Sequence, residues 1–318
     1  MKPKALYYHI MQYQPVNYQY LRTVFDLHEL NNPAEDTSEL LENIEVLFAP
    51  LGFQVDDEKM AHCTKLRVIV SNTTGIPHIS VHAARQRGIK ICALHDEQAF
   101  LQIITSTAEH TIGLIIAVWR RVLPAHQSVL NGQWSRNDWV APKMLSRMCL
   151  GIVGYGRLGQ IVAHVAKAMG MTVVYYDPYV KGGEVSLKEL VRKAEILSLH
   201  APSNQETYQL ISREILESLP KGAIVINTAR GELIDFNALL ELLESKHLAG
   251  AGIDTITGEY SLNFQHTDIF NKAINYARTH DNLLLTPHIG GSTSDARIET
   301  ERFVINKACK VLQELVTE

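Results

Sequence analysis

The sequence has few cysteines, and they are far apart. Four of its 318 residues are cysteine, at positions 63, 92, 149 and 309. None forms a CxxC pair or stands at a zinc-type spacing from a histidine. Such spacing argues against a disulfide framework and a zinc site, and it is typical of reduced thiols in a cytoplasmic protein. We therefore expect a cytoplasmic protein with no bound metal.

The chain also lacks a strong charge of one sign and a long apolar run. Its formal net charge is −4 and its pI is near 6.4, so nothing indicates nucleic acid or an anionic membrane as a partner. The most apolar stretch, residues 111–119, is followed by Arg120 and Arg121 and is too short to span a bilayer. The N-terminal residues show no long apolar run and no small-residue cleavage site, so we expect no signal peptide.

Short β-branched runs are abundant and alternate with amphipathic segments along the whole chain. A length of 318 residues exceeds what one hydrophobic core usually supports, so two domains are expected. Strands are predicted at 5–10, 44–50, 66–72, 89–94, 149–153, 171–177, 195–202, 222–229, 248–255 and 282–288. Helices are predicted at 79–88, 98–122, 160–170, 186–193, 212–218, 235–245 and 294–314, the last with Ile298, Phe303, Ile305 and Val311 as core positions. The alternation predicts an α/β fold with parallel sheets, and a ligand cleft between the domains.

A glycine-rich turn follows the strand at 149–153. Gly154, Gly156 and Gly159 form G-x-G-x-x-G, and a helix follows. In this motif the first glycine permits a tight turn, the second lets a pyrophosphate approach the backbone, and the third allows close helix–strand packing. Asp177, at the end of the next strand, is placed to bind the ribose hydroxyls and to repel a 2′-phosphate, which favours NAD over NADP. Flavin and S-adenosylmethionine sites share this fingerprint.

Three chemically useful side chains follow later strands of the second half. Arg230 lies in "NTARGE", Glu259 in "DTITGE" and His288 in "TPHIGG". Because open α/β sheets bind ligands outside the carboxyl ends of their strands, we expect these groups to meet in one cleft. The arginine can grip a carboxylate, the histidine can exchange a proton with a carbonyl oxygen, and a carboxylate can orient the histidine ring. This set suits the interconversion of a 2-hydroxy acid and a 2-oxo acid.

An ordered series of motifs supports that interpretation. From about residue 45 to 318 the chain resembles the D-isomer-specific 2-hydroxyacid dehydrogenase family, through "GIVGYGRLG…YYDP", "LHAPSNQETYQLIS", "LPKGAIVINTARGELID", "AGIDTITGE" and "LLLTPHIGGST". The resemblance implies a Rossmann NAD-binding domain at 105–293. It also implies a smaller flavodoxin-like substrate domain at 1–104 plus 294–318, closed by the C-terminal helix. Homodimers that pair through the NAD-binding domains are implied as well.

The resemblance further assigns roles to residues. It implies that Arg230, Glu259 and His288 are catalytic, and that NAD is the cofactor. The implied cofactor contacts are Thr107, Gly154, Gly156, Arg157, Leu158, Gly159, Asp177, His200, Thr228, Ala229, Asp254, Gly290 and Gly291. Substrate is expected at Arg230, His288 and the backbone N–H groups of Thr74 and Gly75.

The chain departs from the family pattern in two places. "SNTTGIPHIS" (71–80) has Thr73 where glycine is usual and Pro77-His78 where Asp-Asn is common, so the pocket walls should differ. The stretch 260–281 is longer than in many relatives and is expected to add a short helix at the cleft rim or a dimer contact, with His266 and His280 solvated. We expect His110 to be structural.

The sequence leaves more than one function open. The first hypothesis is an NAD-dependent oxidoreductase acting on a small D-2-hydroxy or 2-oxo acid. The second is an NAD(H)-binding sensor or scaffold of the same fold. A third, oxidation of a one-carbon anion on this fold, fits poorly with Glu259, which the formate enzymes of the family replace.

Overall fold

The chain forms two compact α/β units. In the computed structural model, residues 2–184, 186–261 and 263–317 are described. One unit combines Met1–Ile104 with Thr293–Glu318, and the other is Thr105–Ser292. The strands, in chain order, are β1 Lys4–Tyr8, β2 Asp26–Leu30, β3 Val46–Phe48, β4 Val68–Val70, β5 Lys90–Cys92, β6 Cys149–Val153, β7 Thr172–Tyr176, β8 Ile196–Leu199, β9 Ala223–Asn227, β10 Leu248–Ile253 and β11 Leu283–Leu285.

The helices fall between these strands, as βαβ units require. They are α1 Pro15–Val24, α2 Ser38–Leu41, α3 Asp57–His62, α4 Val81–Gln86, α5 Gln98–Leu101, α6 Ser106–Trp119, α7 Val122–Leu130, α8 Arg157–Ala168, α9 Leu187–Lys193, α10 Arg213–Glu217, α11 Phe236–Glu244, α12 Asp268–Thr279 and α13 Ser294–Thr317.

The first unit is built on a parallel sheet of strand order β2-β1-β3-β4-β5. This is the flavodoxin-like order, so the predicted fold class is confirmed for this unit. β2 was not predicted from the sequence. Its sequence, DLHEL, is half-exposed and polar because it lies at the sheet edge and pairs with β1 alone.

Helix α13 packs against the first unit, and its buried face differs from the predicted one. Ile305 is fully buried, as are Ala308 and nearby Leu312 in the same core. The prediction that Ile298 is a core position is wrong, since 38% of this residue is exposed. One turn before Ile305 the inward position is instead taken by Glu301, whose carboxylate accepts hydrogen bonds from Asn17 Nδ2 (3.0 Å) and the Gln14 N–H (2.8 Å). Phe303 and Val311 are partly buried against the same core.

The second unit carries a parallel sheet of order β11-β10-β9-β8-β6-β7. β6 has β7 on one side and β8 on the other, so the strand order reverses at β6. Ligands of doubly wound sheets bind beyond the carboxyl ends of the strands at this reversal. The predicted Rossmann class is therefore confirmed, although within the described residues the sheet ends at β7.

The helix predicted at 98–122 is interrupted. α5 ends at Leu101, α6 begins at Ser106, and Arg121 adopts a left-handed backbone (φ 50°) that separates α6 from α7. By length and composition alone, the wider segment Gln98–Trp119 is apolar enough to cross a membrane. Its α6 part buries Leu114, Ile115 and Trp119 in the core of the second unit, and a core helix passes the same test.

The long stretch at 260–281 adds a full helix rather than a short one. α12 spans 12 residues and packs on α11 and β11. Ala273 and Tyr276 are buried in the core of the second unit. His266 and His280 are exposed, as expected, and Leu262 lies outside the described residues.

Exchanging one buried side chain on α13 tests this packing. Ile305→Ala should lower the free energy of unfolding by about 2–5 kcal/mol, because it leaves a cavity in the first unit's core. Ile298→Ala is the matched control on the same helix and should cost less than about 1 kcal/mol. Denaturant unfolding of both variants measures the difference, and equal losses would contradict the assigned face.

Candidate active site

The turn after β6 is shaped by its glycines. Gly154 has φ +89°, and a Cβ there would lie 2.6 Å from the backbone nitrogen of Ala201. At Gly159 a Cβ would lie 2.3 Å from the Gly154 carbonyl oxygen, so glycine lets α8 start close to β6. Gly156, by contrast, has open space where its Cβ would be. The first N–H groups of α8 therefore face an open side, which fits the phosphates of a dinucleotide.

Asp177 is tied to the same turn. Its Oδ2 accepts a hydrogen bond from the Tyr155 N–H (2.8 Å), and its Oδ1 accepts one from the Tyr179 N–H (2.9 Å). The Tyr155 ring stacks on Tyr175 at a centroid distance of 3.7 Å. A carboxylate has about four acceptor positions, so the half-buried Asp177 keeps capacity for a further donor. It closes the turn, and it is the residue for which the sequence predicts ribose binding.

Arg157 and Leu158 open α8, directly after the glycine turn. Leu158 is partly buried against the core formed by α6, α8 and β6. Arg157 is also partly buried, and this burial lowers the pKa of its guanidinium. Both residues therefore sit at the helix N-terminus, where the resemblance places a cofactor contact.

His200 follows β8, across from the glycine turn. Its N–H donates to the Val153 carbonyl (2.7 Å), and its Nε2 lies 2.8 Å from Ser198 Oγ. Part of the residue remains accessible, but its ring is enclosed by protein, and this burial lowers the pKa of His200 to about 4. His200 therefore adds no positive charge beside Gly154 at neutral pH.

The loop after β9 is organised by Asn227, which sequence reasoning missed. Its Oδ1 accepts from the Ala229 N–H (3.0 Å), and its Nδ2 donates to the Arg230 carbonyl (2.9 Å). The signal available in the sequence was a polar residue, Asn227, at the end of the otherwise apolar strand AIVIN. The next residue, Thr228, is buried with its hydroxyl 2.7 Å from that of Thr111.

Arg230 lies beside the loop that follows β10. A Cβ on the adjacent Gly231 would lie 2.1 Å from the backbone nitrogen of Thr257, so glycine allows the two loops to touch. Arg230 is half-buried, its Nη1 donates to the Ala229 carbonyl (2.7 Å), and its charge acts on Tyr260.

The buried carboxylate of Asp254 holds the turn that carries His288. It accepts hydrogen bonds from the Thr286 hydroxyl (2.6 Å), the Ile289 N–H (2.9 Å) and the Gly290 N–H (2.9 Å). His110, expected to be structural, places its Nε2 3.0 Å from the Thr286 hydroxyl. The predicted cofactor residue Asp254 is thus engaged by the protein's own donors.

His288 adopts a left-handed backbone, φ +52°, which is uncommon for a residue with a side chain. Its N–H donates to the Asp254 carbonyl (2.8 Å). Its Nδ1 lies 2.9 Å from Glu259 Oε1 and 3.1 Å from the Tyr260 hydroxyl. The His288 side chain is 30% exposed and that of Glu259 is 13% exposed. Both contacts are made by Nδ1, from the same side of the ring.

Thr107 and the glycine pair after His288 pack together. A Cβ on Gly290 would lie 3.0 Å from Asp254 Oδ2 and 3.3 Å from Thr107 Cγ2. A Cβ on Gly291 would lie 3.7 Å from the Thr107 hydroxyl. The first turn of α6 therefore borders the turn of His288.

Thr74 and Gly75 belong to the first unit, in the loop after β4. The Thr73 hydroxyl donates to the Gly75 carbonyl (2.7 Å) and lies 2.8 Å from Ser71 Oγ, which in turn is 3.3 Å from His78 Nε2. His78 is buried, which lowers its pKa to about 4. Thr73 and His78, two of the residues that depart from the family pattern, thus brace this loop from within.

Metal ligands are not grouped in the part of the chain that the structure describes. No set of three or more His, Cys, Asp or Glu side chains there is arranged to hold an ion. The acid and histidine at the ends of β10 and β11 pair with each other instead.

Two glycine variants separate the folding role of the β6 turn from its binding role. Gly154→Ala should lower the free energy of unfolding by roughly 2–4 kcal/mol, from positive-φ strain and overpacking. Gly156→Ala should leave stability unchanged but weaken NADH binding, because its Cβ would occupy the open side. Thermal unfolding and NADH fluorescence titration measure the two effects. Equal stability of the two variants, or unaltered NADH affinity of Gly156→Ala, would contradict these roles.

Comparisons with known proteins agree with this geometry. Residues 112–290 match the family model described as "D-isomer specific 2-hydroxyacid dehydrogenase, NAD binding domain", which confirms the predicted cofactor, NAD. A glyoxylate reductase of Pyrococcus furiosus is 30% identical over 279 residues, covering 83% of this chain and 78% of that protein. A D-3-phosphoglycerate dehydrogenase of Methanocaldococcus jannaschii is 32% identical over 88% of this chain. The chain spans about half (52%) of that relative's length.

A solved structure is similar over nearly the whole chain. The D-lactate dehydrogenase of Aquifex aeolicus, complexed with NAD and lactic acid, aligns with a TM-score of 0.84 and 26% identity, covering 98% of this chain and 95% of that one.

Proposed function

The chain belongs to the D-isomer specific 2-hydroxyacid dehydrogenase family, and from this premise we propose that it interconverts a small D-2-hydroxy acid and its 2-oxo acid with NAD. The observation that carries the proposal is the 2.9 Å contact between His288 Nδ1 and Glu259 Oε1 at the ends of β11 and β10. It leaves Nε2 as the nitrogen that exchanges a proton with substrate.

His288 is the acid and base of this proposal. In the direction of reduction its Nε2–H donates a proton to the 2-oxo oxygen, and in oxidation Nε2 accepts the proton from the hydroxyl. Glu259, hydrogen-bonded to Nδ1, fixes the ring and its tautomer. NADH, when bound, supplies the hydride. The left-handed turn held by Asp254 keeps the ring in place without help from the substrate.

Arg230 is proposed to bind the substrate. The Asn227 side chain holds the backbone of the Arg230 loop, through the Ala229 N–H and the Arg230 carbonyl. The charge of the Arg230 guanidinium acts on Tyr260, the neighbour of Glu259. A guanidinium is always charged and can hold a carboxylate with two parallel hydrogen bonds. Backbone N–H groups of Thr74 and Gly75 are proposed to bind the same substrate, supported by the braced loop after β4.

Loss of the histidine tests the proposal. His288→Ala should reduce NADH-dependent turnover of the best 2-oxo acid by about 10²–10⁴-fold, the usual contribution of a general acid. NADH affinity should stay nearly unchanged. The control is His266→Ala, an exposed histidine of the same unit, which should behave as the wild type.

The substrate is found first by following NADH oxidation across 2-oxo acids of varied size and charge. If the wild type binds NADH and reduces none of them, the alternative of an NAD(H)-binding sensor or scaffold is favoured. If His288→Ala retains wild-type turnover, the proton-donor assignment is wrong.

We also propose that the protein is a homodimer that pairs through the second unit, and that it is cytoplasmic. Its four cysteines are all free thiols, as is usual in a reducing compartment.

The second unit exposes a series of large apolar side chains between α6 and β6, and exposed apolar patches mark interaction surfaces. They are Ile116, Val122, Leu123, Val129, Leu130, Trp134, Val140 and Met144. Trp134 is 90% exposed and Val140 73% exposed.

Charge placed on this surface should separate the subunits. We expect the wild type to sediment as a dimer and the double variant Trp134→Asp, Val140→Asp to sediment as a folded monomer. Val81→Asp is the control, because Val81 is 53% exposed on the first unit. A monomeric wild type, or a double variant that stays dimeric, would contradict the proposed interface.

A further inference from the structure

We propose that Tyr260 is a positioning residue for His288, acting as a second hydrogen-bond acceptor for the Nδ1–H beside Glu259. The Tyr260 hydroxyl lies 3.1 Å from Nδ1, and Glu259 Oε1 lies 2.9 Å from the same atom. The proposal rests on the proposed function, since it concerns the proton that His288 does not transfer.

The two acceptors come from consecutive residues. The loop after β10 folds so that Glu259 and Tyr260 both reach the imidazole from the Nδ1 side. The Tyr260 and His288 rings are 5.9 Å apart and tilted by 45°, so the contact is made through the hydroxyl and not by stacking. Tyr260 is half-buried, which restricts its hydroxyl to this environment.

Proton accounting decides the direction of the bond. An ionised carboxylate can only accept, so the contact with Glu259 places a hydrogen on Nδ1. Nδ1 then has no free lone pair, and the Tyr260 oxygen must accept as well. The Nδ1–H is therefore shared between two acceptors, while Nε2 gains and loses the substrate's proton. This arrangement holds one tautomer through the whole cycle.

Tyr260 can fill this role because it stays neutral. Burial raises the pKa of its hydroxyl well above the usual range, and the charge of Glu259 adds to the effect, while Arg230 opposes it. Glu232 and Asp254 also face the ring and raise the pKa further. The hydroxyl thus offers a lone pair to Nδ1–H without a second negative charge beside Glu259.

The consequence is a fixed ring plane. With Glu259 alone, the imidazole could rotate about its bond to Cβ and still keep one hydrogen bond. A second acceptor on the same N–H narrows that rotation and so aims Nε2.

Removal of the single hydroxyl tests the role. Tyr260→Phe should lower kcat for 2-oxo acid reduction by about tenfold, the effect of one hydrogen bond to a charged group. KM and NADH affinity should change little. Tyr276→Phe is the matched control: its hydroxyl also makes one hydrogen bond, to Asn282, away from His288.

A readout that does not need turnover completes the test. In protein labelled with ¹⁵N-histidine, with the His288 signal assigned from His288→Gln, Tyr260→Phe should shift the Nδ1 resonance, because one of its two acceptors is lost. Tyr276→Phe should leave that resonance unchanged. An unaltered His288 signal in Tyr260→Phe would overturn the proposal. If the wild type has no reductase activity and Tyr260→Phe still shifts the Nδ1 resonance, the proposed function is contradicted and the Tyr260 contact is supported.

Discussion

The buried carboxylate of Asp254 is the contact on which the geometry of the candidate site depends. Taking a carboxylate out of water is costly unless several donors replace the lost solvent. Here the donors are two backbone N–H groups and a hydroxyl, all from the turn after β11. The energetic requirement of the charge thus fixes the path of the turn. His288 takes up its left-handed backbone as a result.

Close approach of neighbouring loops brings the remaining groups to the same edge of the sheet. Parallel strands end side by side, and the residues that follow them can meet only if the loops pack without intervening side chains. Gly154 allows close packing at the reversal of strand order. Gly231 allows the loops after β9 and β10 to touch, and Gly290 allows the turn after β11 to pack against α6. The glycines of the motifs are therefore as much a requirement of packing as of binding.

Much of the fold could be predicted from the sequence, because buried parallel strands have continuous apolar runs and their turns carry glycine. The predicted strands all occur, most of them with shorter bounds, and β2 was missed because its polar sequence lies at a sheet edge. Ile298 was placed in the core because its spacing fits the period of a helix. The structure fills the inward position with Glu301, whose Oε2 accepts hydrogen bonds from Asn17 and the Gln14 N–H and whose Oε1 lies 3.4 Å from Arg297 Nε.

The sequence by itself determined the fold class, the dinucleotide motif and the presence of an arginine, an acid and a histidine after successive strands, because these depend on local pattern and spacing. Only the tertiary structure decided which atoms meet. Asp254 holding the turn of His288 and Tyr260 sharing Nδ1 with Glu259 have no pattern that marks these contacts, and Asn227 was marked only as a polar residue that ends an apolar strand. Their hydrogen bonds depend on side-chain direction, and the contacts at His288 join residues about thirty positions apart in the chain. Such contacts exist only once the sheet has placed the loop ends within a few ångströms of each other.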